Sequence, residues 1–437
     1  MVPRLLALAS FFSASLALRN GLALTPPMGW NSWNYFSCGV NEDIVLRAAK
    51  SMISYNLTRL GYEYVLVDDC WQADTRDPKT GAPVEDKGRF PNGMKDLVDK
   101  VHAMGLKFGI YSSAGTYTCA GRFGSLGYEE IDAKTYAGWG VDYLKYDNCY
   151  NEGRAGTPMI SYERYNNMSM ALNATGRPMV YSMCNWGEDG PWNFAIEIAN
   201  SYRISGDIYP NYNDFDIRCP CTDVLDCKLA GFHCSVMRIL DFSAPIGQKS
   251  GSGHWNDLDM LEIGNDDMTL YEQLTHFSMW ALVKSPLILG NDVTSMTPQT
   301  LTIITNDALI AINQDGNGPI TRRWKKPVKD GEIQLWSGGT ANNSIIFTVL
   351  NTSPTTQTVY LDFADVFYDQ GRYYARQNFK LFDLWMKDET DNWGAPAGQA
   401  QFNLTLEVAT HSIRVFRATP APLESAGSAK RESEKHL

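Results

Sequence analysis

The sequence predicts an α/β protein, a (β/α)8 TIM barrel followed by a C-terminal antiparallel β-sandwich domain. Three observations predict this organisation. Short apolar runs alternate with helical stretches from Gly29 to Asp292, polar or aromatic side chains end nearly every run, and alternating apolar and polar residues follow Gly318. At 437 residues the chain is too long for one small core, so a large and a smaller domain are expected.

The barrel prediction covers residues 18–320 and rests on eight apolar runs with helical stretches between them. The runs end near Trp33, Asp68-Asp69, Tyr111, Asp147, Cys184, Asp207, Asp259 and Asn291. The helical stretches include residues 41–60, 94–104, 162–175 and 268–282. A doubly wound open sheet, the main alternative, would bind its ligand at one switch point, whereas a barrel gathers side chains from all its strand ends. Reactive residues at nearly every strand end therefore favour the barrel.

The β-sandwich prediction covers residues 321–420. Apolar and polar residues alternate in the segments 334–336, 344–350, 356–363, 380–385, 402–408 and 412–417. Turns rich in Gly, Asn, Pro and Ser separate these segments, which is typical of short antiparallel strands. Residues 421–437 are small or charged and show no periodicity, so a disordered tail is predicted there.

The N-terminus is predicted to be a secretory signal peptide spanning residues 1–17. Arg4 supplies the positive charge, an apolar stretch follows over residues 5–18, and Ser15-Leu16-Ala17 forms a small-residue cleavage site. Six N-glycosylation sequons support export, at Asn56, Asn167, Asn173, Asn342, Asn351 and Asn403. The apolar stretch is too short to span a membrane, and no later one reaches that length. We therefore expect a secreted, extracellular glycoprotein.

Cysteine usage also indicates an oxidising compartment. Nine cysteines in an exported chain predict disulfides and one free thiol. Cys219, Cys221, Cys227 and Cys234 lie close together, and our hypothesis is a Cys219–Cys234 bridge around a Cys221–Cys227 bridge. A zinc site is the alternative, but oxidation during export competes with metal binding.

Charge and composition limit the partners. The formal net charge is −11, from 38 basic and 49 acidic residues, which disfavours nucleic acid and anionic membranes. The six histidines show no metal-ligand spacing, so we predict neither a metal site nor a cofactor. The oligomeric state is not predicted.

The most informative stretch is Lys145-Tyr146-Asp147-Asn148-Cys149, which closes an apolar run beginning at Val141. Side chains alternate along a strand, so Lys145 and Asp147 are expected on the same face. A neighbouring cation favours the ionised carboxylate, and an ionised, oriented aspartate can act as a nucleophile. A buried ion pair with a purely structural role is the alternative.

Other strand ends add groups suited to glycoside hydrolysis. A retaining enzyme needs one carboxylate as nucleophile and one carboxylic acid to protonate the leaving oxygen. Asp207 lacks a lysine two residues away and can more easily keep a raised pKa, which suits the acid and then the base. Arg203 could bind a hydroxyl or lower the pKa of Asp207, and the sequence leaves both open. Asp68 and Asp69 could bind substrate hydroxyl groups through hydrogen bonds, and a calcium site is the alternative.

These segments closely resemble glycoside hydrolase family 27, the α-galactosidase (melibiase) family, and most of all its secreted fungal members. The matching segments are Pro27-Met28-Gly29-Trp30-Asn31-Ser32-Trp33, Asp68-Asp69-Cys70-Trp71, Gly109-Ile110-Tyr111, Thr118-Cys119-Ala120-Gly121, Lys145-Tyr146-Asp147-Asn148-Cys149, Trp255-Asn256-Asp257-Leu258-Asp259-Met260, Ser285-Pro286-Leu287 and Asp383-Leu384-Trp385. They occur in order over nearly the whole mature chain.

The resemblance implies a barrel with a C-terminal β-sandwich and a retaining double displacement, with Asp147 as nucleophile and Asp207 as acid/base. It implies that Asp68, Asp69 and Lys145 bind galactose hydroxyl groups and that the indole of Trp33 packs against the sugar ring. By position it adds Tyr111, Cys119, Cys149, Cys184, Trp186, Arg203 and Asp259 to the substrate pocket. It also implies the disulfides Cys38–Cys70 and Cys119–Cys149, the second against the sugar, and leaves Cys184 as the odd thiol.

The expected activity is release of terminal α-linked D-galactose from galacto-oligosaccharides, galactomannan or galactolipids. The loop Cys184-Asn185-Trp186-Gly187 differs from the animal enzymes, in which this segment separates galactose from N-acetylgalactosamine. An α-N-acetylgalactosaminidase, a β-L-arabinopyranosidase and an inactive galactose-binding protein are the alternatives. Asn313-Gln314-Asp315-Gly316 lacks the proline and leucine usual in the family, and we expect only a loop difference there.

Overall fold

The computed structural model describes residue 18 and residues 20–219, 233–265 and 267–421. Its first sheet consists of eight parallel strands. They are β1 (Met28–Asn31), β2 (Tyr64–Leu66), β3 (Lys107–Ser113), β4 (Tyr143–Asp147), β5 (Val180–Cys184), β6 (Ser201–Arg203), β7 (Trp255–Asp257) and β8 (Leu287–Leu289). The spatial order is β7-β6-β5-β4-β3-β2-β1-β8. Leu261, shortly after β7, hydrogen-bonds through its backbone to Ile288 and Gly290 at 2.7 and 2.9 Å, which closes the sheet into the predicted barrel.

Helices accompany the barrel strands along the chain. They are α1 (Trp33–Phe36), α2 (Glu42–Ser54), α3 (Met94–Ala103), α4 (Glu129–Trp139), α5 (Pro158–Ala174), α6 (Val236–Ser243), α7 (Leu270–Leu282), α8 (Pro298–Ile304) and α9 (Asp307–Asn313). Short 3-10 helices lie at Ser37–Gly39, Leu57–Leu60, Pro191–Asn193, Ala195–Glu197 and Ala244–Lys249. The four helical stretches named from the sequence correspond to α2, α3, α5 and α7.

Local sequence explains where these helices begin. The Asn41 side chain accepts a hydrogen bond from Ile44 N at 3.0 Å and so caps α2. Thr269 and Glu272 form a reciprocal capping box at the start of α7. One face of α2 carries buried Val45, Ala48, Ala49 and Met52, the spacing of an amphipathic helix that packs on the sheet.

The reactive side chains lie at the carboxyl ends of the strands. Asp147 and Cys184 are the last residues of β4 and β5. Asp68, Asp207 and Asp259 lie two to four residues beyond β2, β6 and β7. Because parallel strands end on one face of the barrel, these loops surround a common centre.

The second unit is an antiparallel β-sandwich, as predicted. Its strands are β9 (Thr321–Val328), β10 (Gly331–Gly339), β11 (Ile345–Asn351), β12 (Gln357–Asp362), β13 (Asn378–Lys387), β14 (Trp393–Gln401), β15 (Asn403–Val408) and β16 (Ser412–Ala421). A helix, α10 (Phe363–Val366), and 3-10 helices at Tyr368–Gln370 and Tyr374–Arg376 lie between β12 and β13. One sheet has the order β14-β13-β16-β11-β10-β9, and β12 pairs with β15. Their inner faces enclose a core that includes Phe347, Phe363 and Phe379.

The two units pack against each other. Leu384, Ile413 and Val415 of the sandwich belong to the same hydrophobic core cluster as the barrel. The Trp385 indole donates a hydrogen bond to Ser278 Oγ of α7 at 2.8 Å. His411 Nδ1 lies 2.7 Å from Glu272 Oε1 at the start of the same helix. The sandwich is therefore attached mainly along α7.

Burial corrects one of the six glycosylation predictions. Asn351 is fully buried, and its Nδ2 donates hydrogen bonds to the backbone oxygens of Thr355, Val408 and Ala409. A glycan could be attached there only by breaking these bonds, so this prediction is wrong for the folded chain. The five other sequon asparagines, Asn56, Asn167, Asn173, Asn342 and Asn403, are exposed.

Some sequence predictions fall outside the described residues. These are the signal peptide at residues 1–17, the Cys221–Cys227 bridge and all but the first residue of the tail at 421–437. Within the part of the chain that the structure describes, no helix is both long enough and apolar enough to cross a membrane.

Candidate active site

Strand β4 places Lys145 and Asp147 inside the barrel. It pairs with β3 and β5 on its two sides, which brings Tyr111 beside Lys145 and Cys184 beside Asp147. Asp147 is 6% exposed, so its carboxyl group is almost completely removed from solvent. The alternation expected from the sequence thus puts the cation and the carboxyl group on the same side of the sheet.

The carboxyl group of Asp147 accepts two hydrogen bonds and lies next to a disulfide. Tyr111 donates its hydroxyl proton to Oδ2 at 2.7 Å, and the backbone N of Asn148 donates to Oδ1 at 2.9 Å. The disulfide sulfur of Cys119 lies 3.4 Å from Oδ2. Burial raises the pKa of Asp147 to about 6, and the charge of Asp207 acts in the same direction. Lys145 and the two hydrogen bonds lower the pKa without cancelling the effect of burial.

This arrangement corrects the reasoning that Lys145 keeps the pKa of Asp147 low. Lys145 Nζ pairs with Asp68 Oδ2 at 2.8 Å, and Asn31 Nδ2 donates to the same oxygen at 2.8 Å. Burial disfavours the ammonium form of Lys145, but nearby carboxylates, Asp68 foremost, raise its pKa well above the usual value. The lysine therefore stays charged and contacts Asp68, while Asp147 receives only a longer-range effect.

Asp207 comes from the loop after β6 and is the more accessible acid. Half of its side-chain surface is exposed, against 3% for that of Arg203. Arg203 Nη2 lies 3.0 Å from Asp207 Oδ1 and 2.8 Å from Asp259 Oδ2, so one guanidinium group joins the loops after β6 and β7. The sequence left the role of Arg203 open, and the structure puts it in direct contact with both carboxylates.

Most of the predicted site residues line one cavity of about 40 Å³ at the centre of the barrel face. Its lining comprises Trp33, Asn34, Asp68, Tyr111, Cys119, Lys145, Asp147, Arg203, Asp207, Asp259 and Met260. Asn34 and Met260 were missed as site residues, although both adjoin residues that the motifs singled out. Asn31, which orients Asp68, was also missed, and its position in the first quoted motif was the available signal.

Four predicted residues lie outside this lining. Asp69 is buried and accepts hydrogen bonds from the backbone N of Ala120 at 2.8 Å and of Cys70 at 2.7 Å, so it holds the loop after β3. Cys184 lines a separate space of about 20 Å³ together with Lys145 and Arg203. Cys149 is not part of the lining itself, but its disulfide partner Cys119 is. Trp186 lies in the loop after β5 with a positive φ of 61°.

Disulfides hold two of the loops around the cavity. The structure contains Cys38–Cys70, Cys119–Cys149 and Cys219–Cys234, and Cys184 is a free, buried thiol. The Cys119–Cys149 bridge joins the loops after β3 and β4, next to Asp147. Among the described residues, the group with the spacing of a metal site is Cys119, Asp147 and Cys149, but its two sulfurs are already bonded to each other.

Two carboxyl groups on one cavity, one buried and hydrogen-bonded and one open to solvent, suit a protein that cleaves glycosidic bonds. The comparisons with known proteins agree with this class. The family described as Alpha galactosidase A matches residues 25–315, and the family described as Alpha galactosidase C-terminal beta sandwich domain matches residues 330–418. The chain therefore belongs to glycoside hydrolase family 27, the α-galactosidase (melibiase) family.

Similar proteins are known from several fungi. The chain is 48% identical over 409 residues to alpha-galactosidase mel1 of Schizosaccharomyces pombe, covering 93% of this chain and 92% of the relative. The crystal structure of alpha-galactosidase I from Mortierella vinacea is 49% identical with a TM-score of 0.87, covering 93% and 100% of the two chains. The Saccharomyces cerevisiae enzyme, solved with raffinose, is 42% identical with a TM-score of 0.89, covering 92% and 99%.

Proposed function

We propose that this chain is a secreted, exo-acting α-galactosidase that releases terminal α-linked D-galactose with retention of anomeric configuration. The observation that carries this proposal is that Asp147 and Asp207 line one cavity in a chain of the α-galactosidase family. Secretion is supported by the signal-peptide pattern, the exposed sequons and the disulfides.

In the first step, a carboxylate oxygen of Asp147 attacks the anomeric carbon and forms a covalent galactosyl ester. The bond to the leaving oxygen breaks, and Asp207 gives that oxygen its proton. In the second step, the Asp207 carboxylate takes a proton from water, which attacks the same carbon and releases both galactose and Asp147. Two inversions give net retention.

The contacts around Asp147 support its role as nucleophile. The Tyr111 hydroxyl and the Asn148 amide leave the carboxyl group little freedom, which favours a single attack geometry. Asp207 lies at the open side of the cavity, where a leaving group can reach it.

The charged groups of the cavity suit a sugar with several hydroxyls. Asp68, paired with Lys145, can accept hydrogen bonds from sugar hydroxyl groups, while the ammonium group of Lys145 can donate them. Trp33 offers a flat apolar face to the ring. Buried Cys184, at the end of β5, and half-buried Trp186, in the loop after β5, are proposed to face the 2-position and to favour galactose over N-acetylgalactosamine.

The activity is tested with p-nitrophenyl α-galactoside, its N-acetylgalactosamine analogue and β-L-arabinopyranoside, with the first product followed by NMR. We expect turnover of the galactoside and α-galactose as the first anomer to appear. β-Galactose appearing first would exclude the double displacement, and no turnover of any of the three would leave only a sugar-binding role.

The nucleophile is tested with Asp147→Asn, which removes the attacking charge while keeping the shape of the side chain. We expect kcat to fall by at least about a thousandfold, with galactose binding and thermal unfolding preserved. Asp99→Asn, on the exposed face of α3, is the matched control and should retain wild-type kcat. Near-normal turnover by Asp147→Asn would assign the nucleophile elsewhere.

A further inference from the structure

The two proposed catalytic carboxyl groups are supported in different ways. Asp147 belongs to strand β4, whereas Asp207 lies in the loop after β6, with half of its side-chain surface exposed. Its Oδ1 pairs with Arg203 Nη2 at 3.0 Å. A general acid must lie within hydrogen-bond reach of the leaving oxygen, so the place of this carboxyl group depends on how the loop is fixed.

The first residues of this loop run beside the segment that leads into α6. The backbone oxygen of Asp207 accepts a hydrogen bond from Cys234 N at 2.7 Å, and Ile208 forms a parallel β-bridge with Cys234. Farther along the loop, the backbone oxygen of Tyr212 accepts a hydrogen bond from Met237 N at 3.0 Å. The stretch from Asp207 to Tyr212 is therefore held at both ends, with Asp207 at the cavity and Tyr212 away from it.

The side chain of Tyr212 is covered by the sandwich domain. It is 4% exposed, and its ring stacks on that of His411, with centroids 4.9 Å apart and 26° between the planes. His411 lies in the turn between β15 and β16. Rings at this separation form a favourable aromatic pair, so the sandwich packs directly on the loop that carries Asp207.

His411 is itself held firmly. Its Nδ1 lies 2.7 Å from Glu272 Oε1, while the other carboxylate oxygen of Glu272 accepts a hydrogen bond from Thr269 N at 2.8 Å. The backbone oxygen of His411 accepts a hydrogen bond from Thr275 Oγ1 at 3.2 Å, and its backbone N donates to Ser353 O at 3.3 Å. Its φ of 46° is left-handed, which a residue with a large side chain adopts only where the surroundings support it.

We propose that the sandwich domain positions the acid/base of the reaction, because His411 packs on Tyr212 and so fixes the loop from which Asp207 protonates the leaving oxygen. This inference rests on the proposed function and gives the C-terminal domain a part in it. His411 does not line the cavity that contains Asp207, so it is a positioning residue.

The test compares two galactosyl donors that differ in their need for a proton. Methyl α-galactoside releases an alcohol, whose oxygen must be protonated as the bond breaks, whereas α-galactosyl fluoride releases fluoride, which needs no proton from Asp207. The ratio of kcat/KM for the methyl galactoside to that for the fluoride therefore reports the placement of Asp207. A loss of folded enzyme lowers both values equally and leaves the ratio unchanged.

His411→Asn removes the stacked ring, and asparagine tolerates the left-handed backbone. Tyr212→Leu removes the ring on the other side of the contact. In each variant we expect the ratio to fall about 10-fold, because a small displacement of a catalytic group is costly. The double variant should fall no further than the single variants, since all three lose the same contact. The single variants are read separately, so a failure of one to fold leaves the other decisive.

Trp385→Phe is the matched control. Trp385 also joins the sandwich to the barrel, through its hydrogen bond to Ser278 Oγ at 2.8 Å, and its ring lies against Phe277 and Trp393. This variant should have a lower melting temperature and the wild-type ratio. An unchanged ratio in a folded His411 or Tyr212 variant would overturn the inference, as would an equal fall in Trp385→Phe. Wild-type protein that does not hydrolyse methyl α-galactoside would instead overturn the proposed function.

Discussion

The hydroxyl of Tyr111 is the closest polar group to the proposed nucleophile. It donates to Asp147 Oδ2 at 2.7 Å and so stabilises the ionised form of a carboxyl group whose pKa burial raises to about 6. Aspartate must be ionised to attack, so kcat/KM should rise with pH as this group loses its proton.

Tyr111→Phe should therefore shift the ascending limb of the kcat/KM profile to higher pH. A hydrogen bond to a charged group is worth about 1.5–3 kcal/mol, which corresponds to a pKa increase of at least about one unit. Thermal stability should change little, because the bond from the Trp71 indole ends on the backbone oxygen of Tyr111.

Tyr62→Phe is the control for this prediction. Tyr62 is also fully buried, and its hydroxyl donates a hydrogen bond to the backbone oxygen of Ile304 at 2.8 Å. It does not line the cavity that contains Asp147. The Tyr62→Phe variant should lose stability and keep the wild-type pH profile of kcat/KM. If Tyr111→Phe shows an unshifted profile, the Tyr111 hydroxyl does not set the ionisation of the nucleophile.

The sequence predicted which side chains of the site would lie together, but not which of their opposing effects on the pKa of Asp147 would be the larger. The spacing of Lys145 and Asp147 correctly put both on one face of β4. It could not show that Asp68, remote along the chain, would take the ammonium group as its direct partner. Nor could it show that burial would outweigh the positive charge at Asp147, because desolvation depends on every element packed around the group.

The loops after β3 and β4 behave as one structural element around the nucleophile. Ala114 N donates to the backbone oxygen of Asp147 at 2.8 Å, and Thr116 N donates to that of Tyr150 at 3.0 Å. Gly115, between them, lies so close that an added Cβ would be 1.9 Å from Cys149 O. The Cys119–Cys149 disulfide then ties the same two loops together.

Gly115→Ala should push these loops apart and displace Asp147 with them. We expect a loss of at least about 2 kcal/mol of stability and a clear fall in kcat/KM, because the clash is with backbone that the disulfide prevents from moving away. Thermal unfolding and hydrolysis of p-nitrophenyl α-galactoside measure the two effects.

Gly138→Ala provides the comparison. Gly138 lies within α4, and an added Cβ would meet nothing within 4 Å, so alanine should be neutral or stabilise the helix by up to about 1 kcal/mol. Equal stabilities for the two alanine variants would show that the loops after β3 and β4 can separate without cost.

Sequence periodicity predicted the inner elements better than the outer ones. Six sandwich strands were recognised from alternating residues, but β9 and β14 were missed. Both are edge strands of the six-stranded sheet, and they contain Pro327 and Pro396. An edge strand has one unpaired side and tolerates proline, so its sequence need not carry the alternating pattern of a buried strand.

At the scale of the whole molecule, several buried carboxyl groups link stability to pH. Burial raises the pKa of Glu262 from 4.5 to about 7, and it raises those of Asp147 and Asp257 from 3.8 to about 6. The folded state therefore binds more protons than the unfolded state in this range, and stability should decline as pH rises. Buried His276, with its pKa lowered from 6.5 to about 3, acts in the opposite sense as pH falls.

Glu262→Gln isolates the largest of these contributions. The stabilising effect of protonated Glu262 is complete below pH 4.5 and is lost as pH rises through about 7. Across that interval its loss is on the order of 3 kcal/mol, since each pKa unit corresponds to about 1.4 kcal/mol. Glutamine cannot ionise, so the variant should lose less stability than the wild type between these two pH values.

The measurement is the unfolding free energy of both proteins at pH 4.5 and at pH 7, with Glu130→Gln as the control. Glu130 lies on the exposed surface of α4, and its removal should leave the pH dependence of the wild type intact. Parallel pH curves for Glu262→Gln and the wild type would mean that Glu262 is already ionised at acidic pH. In that case its hydrogen bonds from Asn34 and Asn265 outweigh the cost of burying its charge.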